Sequence, residues 1–161
     1  MLFAAGLGTR LKPLTDHCPK ALVEIEGRPL LAITLERLIA EGFEQVVVNV
    51  HHFAPMIKEY LASHPFDIDV RISDESDELL DTGGGLMKAR KYLDGDEPFI
   101  VHNADILTDL DLKAMYDFHV EHDALSTILV KDRQTQRYFL FDHDHRLKGW
   151  INKKTGETKP E

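Results

Sequence analysis

The sequence predicts an α/β fold of the Rossmann-like, doubly wound type: a mostly parallel sheet with helices on both faces and a C-terminal antiparallel hairpin. Three observations carry this. Apolar and β-branched runs of strand length recur at 2–5, 45–50, 68–73, 98–102 and 125–131. Segments with helical spacing separate them, and strand–helix alternation is the pattern of parallel sheets covered on both faces. Past 131 the pattern changes: runs at 137–141 and 147–151 enclose the alternating charges and imidazoles of "FDHDHRLKGW", which reads as a hairpin turn.

The helices follow in chain order. Pro29 suits a first helical turn, where its missing N–H costs nothing. Leu31, Leu35, Leu38 and Ile39 then share one face, and Gly42 closes the segment as a left-handed cap. Pro55, Ile57, Tyr60 and Leu61 mark a shorter second helix, and 86–93 a third, which leaves Gly83, Gly84 and Gly85 as a flexible start. Leu112, Met115 and Phe118 mark a fourth, capped by Asp109 or Asp111. The tail "NKKTGETKPE" has turn chemistry but no return strand. The expectation is therefore one domain over 1–161, incomplete at its C-terminal end.

Charge and composition exclude several classes. With 19 Lys and Arg against 28 Asp and Glu, the net charge of −9 repels a polyanion, so no nucleic-acid partner is expected. No apolar run nears the roughly 18 residues of a membrane span, and the start lacks the pattern of a signal peptide. A cytoplasmic location without a membrane partner follows as an expectation. Cys18 is the only cysteine, which rules out an internal disulfide and reads as a loop thiol. Residues 1–20 run against the overall charge, because Arg10, Lys12 and Lys20 face only Asp16. Such a local cationic patch suits a small phosphorylated ligand, although charge alone equally describes ordinary surface.

In open α/β sheets a ligand binds beyond the carboxyl ends of the strands, near the switch in strand order. The residues just past the strand-like runs are 6–10, His51 with His52, Asp74 with Glu75, and 103–105, so glycines, a cation, imidazoles and carboxylates collect at one edge. Gly6 and Gly8 allow the backbone to turn and approach a ligand with free N–H groups. Thr9 adds a hydroxyl and Arg10 a planar fork for phosphate. A dinucleotide fingerprint needs a third glycine where Leu11 stands, and Pro13 opposes an immediate helix; no Gly-Lys-Ser/Thr ends either glycine cluster, so a Walker loop is absent too.

"GLGTRLKPLTDHCPKAL" resembles the signature of the sugar-1-phosphate nucleotidyltransferases: G-x-G-[ST]-R, then proline, then Pro-Lys about ten residues on. "LLDTGGGLMKA" resembles the loop near the nucleobase in that family, and "FIVHNADIL" the strand that ends in its metal-binding aspartate. With "VVVNVHHF", the chain is most similar to the branch holding N-acetylmuramate-1-phosphate uridylyltransferase and mannose-1-phosphate guanylyltransferase relatives.

The resemblance implies that a nucleotidyl group passes from a nucleoside triphosphate to a sugar 1-phosphate, giving an NDP-sugar and pyrophosphate. It implies that Arg10 holds the triphosphate, that Lys20 neutralises the attacking phosphate and the α-phosphate, and that Asp105 binds Mg²⁺. Ala5, Gly6, Gly8 and Thr9, with Thr82 and Gly84, would line the base and phosphates; His51 and Asn103 are weaker candidates on the same edge. Each has a plain alternative: Lys20 as a surface lysine, Asp105 as a helix cap, His51 as a turn residue. His119 and His122 with Asp123 could ligate zinc, but solvated helix surface explains them as well. The resemblance also implies a further C-terminal portion with sugar contacts and a second metal-binding aspartate, for which nothing past Lys148 is a candidate. A phosphocholine-type cytidylyltransferase, a non-catalytic nucleotide-binding module and a homo-oligomer all stay open.

Overall fold

The computed structural model describes residues 1–160 and forms two compact units, Met1–Leu125 and Ser126–Glu161. The first unit opens with β1 (Leu2–Phe3), then single 3-10 turns at Thr9–Leu11 and Lys20–Leu22, then the short hairpin β2 (Glu24–Ile25) and β3 (Arg28–Pro29). Next come α1 (Leu30–Ala40), β4 (Gln45–Val50), α2 (Ala54–Ser63), β5 (Asp69–Asp74), α3 (Asp81–Leu93), β6 (His102–Asn103) and α4 (Leu112–Glu121). The strands β5-β4-β1-β6 form one sheet in that order, and every pairing in it is parallel.

This order places the site. From β1 the chain steps outward through β4 to β5, then returns to put β6 on the other side of β1. The direction of winding reverses between β1 and β6, so the crevice beyond their carboxyl ends is the position where open α/β sheets bind ligands.

Alternation along β4 explains the two covered faces. Val46, Val48 and Val50 point into a core with Leu31, Leu35 and Leu38 of α1, Ala54 and Ile57 of α2, and Leu112 of α4. Val47 points the other way, to Ala89, Leu86 and Leu93 of α3. Leu31 and Leu35 have no exposed surface, and each such side chain contributes about 1.5–3 kcal/mol of burial. The end of α1 is a Schellman motif: Gly42 has φ +85°, its N–H donates to Ile39 O, and Phe43 N–H donates to Leu38 O, each at 3.0 Å. The Asp111 carboxylate caps α4 by accepting from Ala114 N–H at 2.8 Å.

Several expectations are corrected. Pro29 lies in β3 ahead of α1, paired with Glu24 rather than inside a helical turn. The fourth parallel strand begins at His102, because β1 offers only Leu2 and Phe3 for pairing and Pro98 has no N–H to give. The third helix begins at Asp81, so Gly83, Gly84 and Gly85 lie within α3. No strand forms at 125–131: Leu125, Leu129 and Val130 are exposed, and β propensity without a ladder partner does not make a strand.

The second unit is an antiparallel sheet, β7-β8-β9: β7 (Arg137–Phe141), β8 (Leu147–Asn152) and β9 (Thr158–Lys159). The expected hairpin is there, its turn held by Asp142 Oδ1, which accepts from Asp144 N–H at 3.0 Å and Arg146 N–H at 2.9 Å. The tail does make a short return strand, since Gly156 at φ +75° turns the chain so that Thr158 pairs with Ile151.

Candidate active site

A cavity of about 380 Å³ opens beyond the carboxyl ends of β1 and β6, within the first unit. Its walls include Ala5, Gly6, Gly8, Thr9, Arg10, Lys20, Thr82, Asn103 and Asp105. The predicted candidates from four separate stretches therefore meet at one place. Gly84 and His51 are not on its lining. Gly84 lies one turn into α3 and faces Leu80, while His51 Nδ1 is bonded to Glu75 O at 2.6 Å.

The loop after β1 explains the cations' placement. Gly8 has φ +68°, and a Cβ there would stand 2.8 Å from Thr15 Cγ2, so both conformation and space demand glycine. Thr15, itself buried, donates to Gly8 O at 2.8 Å and folds the segment back on itself. Arg10 projects from the 3-10 turn into solvent and makes no ion pair among the described residues, whereas Lys12 pairs with Asp16 at 3.2 Å. Lys20 starts the next 3-10 turn after the buried Pro19, and its ammonium donates to Asp105 Oδ2. Both side chains are partly accessible, at 22% and 33%.

Asn49 escaped the sequence reading, while Glu75 was legible only as a charge at the ligand edge and Gly85 only as part of the triple glycine. Asn49 and Glu75 are buried polar groups on the cavity wall, and Asn49 Nδ2 donates to Glu75 Oε1 at 2.7 Å. Asn49 Oδ1 in turn accepts from Ala4 N–H at 2.8 Å, which ties the cavity wall to the start of the glycine loop. Gly85 makes this possible: a Cβ would meet Glu75 Oε1 at 2.7 Å and Asn49 Nδ2 at 3.0 Å. The signal for Asn49 was one polar residue inside "VVVNV".

Other reactive groups are quiet. Burial and then Glu24 push the Cys18 thiol above its ordinary value, which keeps it protonated. His122 Nδ1 contacts Phe118 O at 2.9 Å and its ring stacks on Phe118. No cluster of three or more His, Cys, Asp or Glu with metal-binding geometry occurs among the described residues. The carboxylates on the cavity wall are Asp105, Glu75 and Asp81.

A family model described as Nucleotidyl transferase matches residues 1–151. The chain belongs to the nucleotidyl transferase family. Within this family it is 44% identical over 108 residues to N-acetylmuramate alpha-1-phosphate uridylyltransferase of Caulobacter vibrioides, covering 65% of this chain and 44% of that protein. It is 35% identical over 147 residues to mannose-1-phosphate guanyltransferase of Hypocrea jecorina, covering 89% of this chain and 40% of that protein. Among solved structures, HddC from Yersinia pseudotuberculosis complexed with GMP-PN superposes with a TM-score of 0.74 at 26% identity, covering 98% of this chain and 70% of that one. The chain thus spans less than half the length of the two curated relatives. No helix among the described residues is long and apolar enough to cross a membrane.

Proposed function

We propose that this chain carries the nucleotide-binding part of an enzyme that transfers a nucleotidyl group from a nucleoside triphosphate to a sugar 1-phosphate, releasing pyrophosphate. The observation that supports it best is the convergence of the Gly6–Gly8 backbone, Arg10, Lys20 and Asp105 on one cavity at the strand-order switch. The relatives are named for uridylyl transfer to N-acetylmuramate 1-phosphate and guanylyl transfer to mannose 1-phosphate, so UTP and GTP are the nucleotides to try first.

The chemistry follows from charge. Nucleotidyl transfer is an in-line displacement at the α-phosphorus: a phosphate oxygen of the sugar phosphate forms the new P–O bond as the bond to pyrophosphate breaks. Positioning and neutralisation, rather than a covalent nucleophile, lower its barrier. Arg10, which makes no ion pair among the described residues, takes the β- and γ-phosphates and steadies the leaving pyrophosphate. Lys20, on the wall of the cavity, holds the attacking phosphate and the α-phosphate together against their mutual repulsion. The backbone N–H groups around Gly6 and Gly8 offer fixed donors to the remaining oxygens.

Asp105 fits Mg²⁺. This ion takes one or two carboxylates together with water and phosphate oxygens, so the partly accessible Asp105 carboxylate would suit an ion held jointly with the triphosphate. When bound, Mg²⁺ offsets phosphate charge. We place the reaction in the cytoplasm, where nucleoside triphosphates are made.

The test is turnover of the protein that contains this chain, measured as pyrophosphate release. UTP with N-acetylmuramate 1-phosphate, GTP with mannose 1-phosphate and CTP with phosphocholine should be compared. Release with a sugar phosphate supports the proposal. Release only with phosphocholine would reassign it as a cytidylyltransferase, and triphosphate binding without release would make it a regulatory module.

A further inference from the structure

β1 leaves the sheet after Phe3, although β4 beside it runs on to Val50. A side chain ends the pairing. The register sets Phe3 beside Asn49, and the next N–H along β1, that of Ala4, donates to Asn49 Oδ1 at 2.8 Å. In a continued parallel ladder that N–H would meet a main-chain oxygen of β4 instead. The chain is thereby released from β4 directly ahead of Ala5 and Gly6, which line the cavity.

We propose that Asn49 is a positioning residue for the phosphates: its amide oxygen fixes the point at which the chain leaves the sheet, and with it the direction of the free N–H groups of the glycine loop. This rests on the nucleotidyl-transfer reading and adds to it a residue that acts through the loop rather than on the substrate. An amide suits both of its neighbours. Ala4 N–H is a fixed donor and demands an acceptor, while the Glu75 carboxylate accepts from Asn49 Nδ2 at 2.7 Å. Turning the amide over would set donor against donor and acceptor against acceptor, so a single orientation is held.

The surroundings keep that amide in place. Asn49 is 1% exposed and Glu75 has no exposed surface. Glu75 N–H donates to Val50 O at 2.7 Å and its carbonyl contacts His51 Nδ1 at 2.6 Å, so the anchor of the amide is itself held from both sides. Gly85 lets α3 close on the pair, where a Cβ would stand 2.7 Å from Glu75 Oε1 and 3.0 Å from Asn49 Nδ2. Such rigidity matters to in-line transfer, because a displacement of about 1 Å can cost on the order of a hundredfold in rate.

The alternative is an Asn49 that only fills space between β1 and α3. Calorimetric titration of this chain and its variants with the Mg²⁺ complexes of UTP, GTP and inorganic tripolyphosphate separates the two, since the last carries phosphates without a base. Asn49→Leu keeps the bulk and removes both hydrogen bonds. It should weaken the nucleotide that the wild type binds, and tripolyphosphate with it, by at least about tenfold. Exchanging the partners, Asn49→Asp together with Glu75→Gln, reverses the bond between them: the new amide donates to the new carboxylate, whose other oxygen still accepts from Ala4 N–H. Tripolyphosphate affinity should then return to within about threefold of the wild type. Undiminished affinity in a folded Asn49→Leu, or no recovery in the exchanged pair, would overturn the proposal while leaving nucleotidyl transfer standing. A wild type that binds a nucleotide but not tripolyphosphate would overturn it as well. If Asn49→Leu does not fold, as read by circular dichroism, the exchanged pair decides alone, and failure of that pair to fold also counts as refutation because both bonds are regenerated in it. Absence of binding by all three ligands would instead overturn the function reading, and this inference with it.

Discussion

The Lys20 ammonium and the Asp105 carboxylate, 85 residues apart in sequence, hold each other on the wall of the cavity. In the reaction proposed here each serves an opposite charge: Lys20 a phosphate, Asp105 a metal. Their contact keeps both in place when no ligand is bound. It is also weak enough to exchange, since a partly exposed pair is worth up to about 1 kcal/mol.

Breaking that pair should uncouple metal from nucleotide. Asp105→Asn frees Lys20, so binding of metal-free triphosphate is predicted to tighten while the gain from adding Mg²⁺ shrinks. Stability to chemical denaturation should change by no more than about 1 kcal/mol. Calorimetry with EDTA and with Mg²⁺ reads both effects. A weaker metal-free affinity in Asp105→Asn would show that the carboxylate does not hold the lysine back.

Gly83 and Gly85 sit two residues apart in α3 and should respond oppositely to alanine. A Cβ at Gly83 meets nothing within 4 Å, so Gly83→Ala gains helix propensity and should stabilise by about 0.5–1 kcal/mol. A Cβ at Gly85 meets the Glu75 carboxylate and the Asn49 amide, so Gly85→Ala should cost about 1–3 kcal/mol and weaken nucleotide binding. Urea denaturation of the two variants checks the sign of each. Equal effects at the two sites would mean that α3 does not press on the Asn49–Glu75 pair.

These glycines also show where sequence reading stops. "GLGTR", Pro19-Lys20 and "NADI" declared their place because a ligand edge follows from strand order and because their residue types are unusual past a strand. "TGGG" misled because three glycines lower helix propensity, and only tertiary packing against a buried carboxylate explains a helix there. Glu75 was legible as a charge at a strand end, but its burial and its bond to Asn49 depend on β4–β5 register, which pairs Val50 with Asp74. The segment 125–131 has strand composition and no partner, and composition cannot reveal whether a partner is present.

Gly8 is predicted to tolerate no side chain. Gly8→Ala combines a left-handed φ with a contact on Thr15, so it should destabilise by about 1–3 kcal/mol and abolish triphosphate binding at concentrations that saturate the wild type. Thermal melting and calorimetry on the same sample measure the two effects. Wild-type affinity in Gly8→Ala would remove the glycine loop from the phosphate site.

Acid stability should depend on Asp74. Hydrogen bonds from Lys58 and Ser76 hold its carboxyl well below the usual carboxylate range. Because the folded-state value is depressed, the stability it contributes is present above the unfolded value near 4 and is lost as pH falls further. Lys58→Met should raise the Asp74 titration midpoint seen by carboxyl NMR, with only a small loss of stability at pH 7 because the pair is largely exposed. An unmoved midpoint would assign the depression to Ser76 instead.

The most direct test of the central claim is calorimetric titration of this chain with UTP and GTP in Mg²⁺, repeated with Arg10→Ala. Saturable binding of one nucleotide by the wild type, lost or weakened at least about tenfold in a folded Arg10→Ala variant, is the predicted result. Unchanged affinity in that variant would contradict a triphosphate site built on the glycine loop and its arginine.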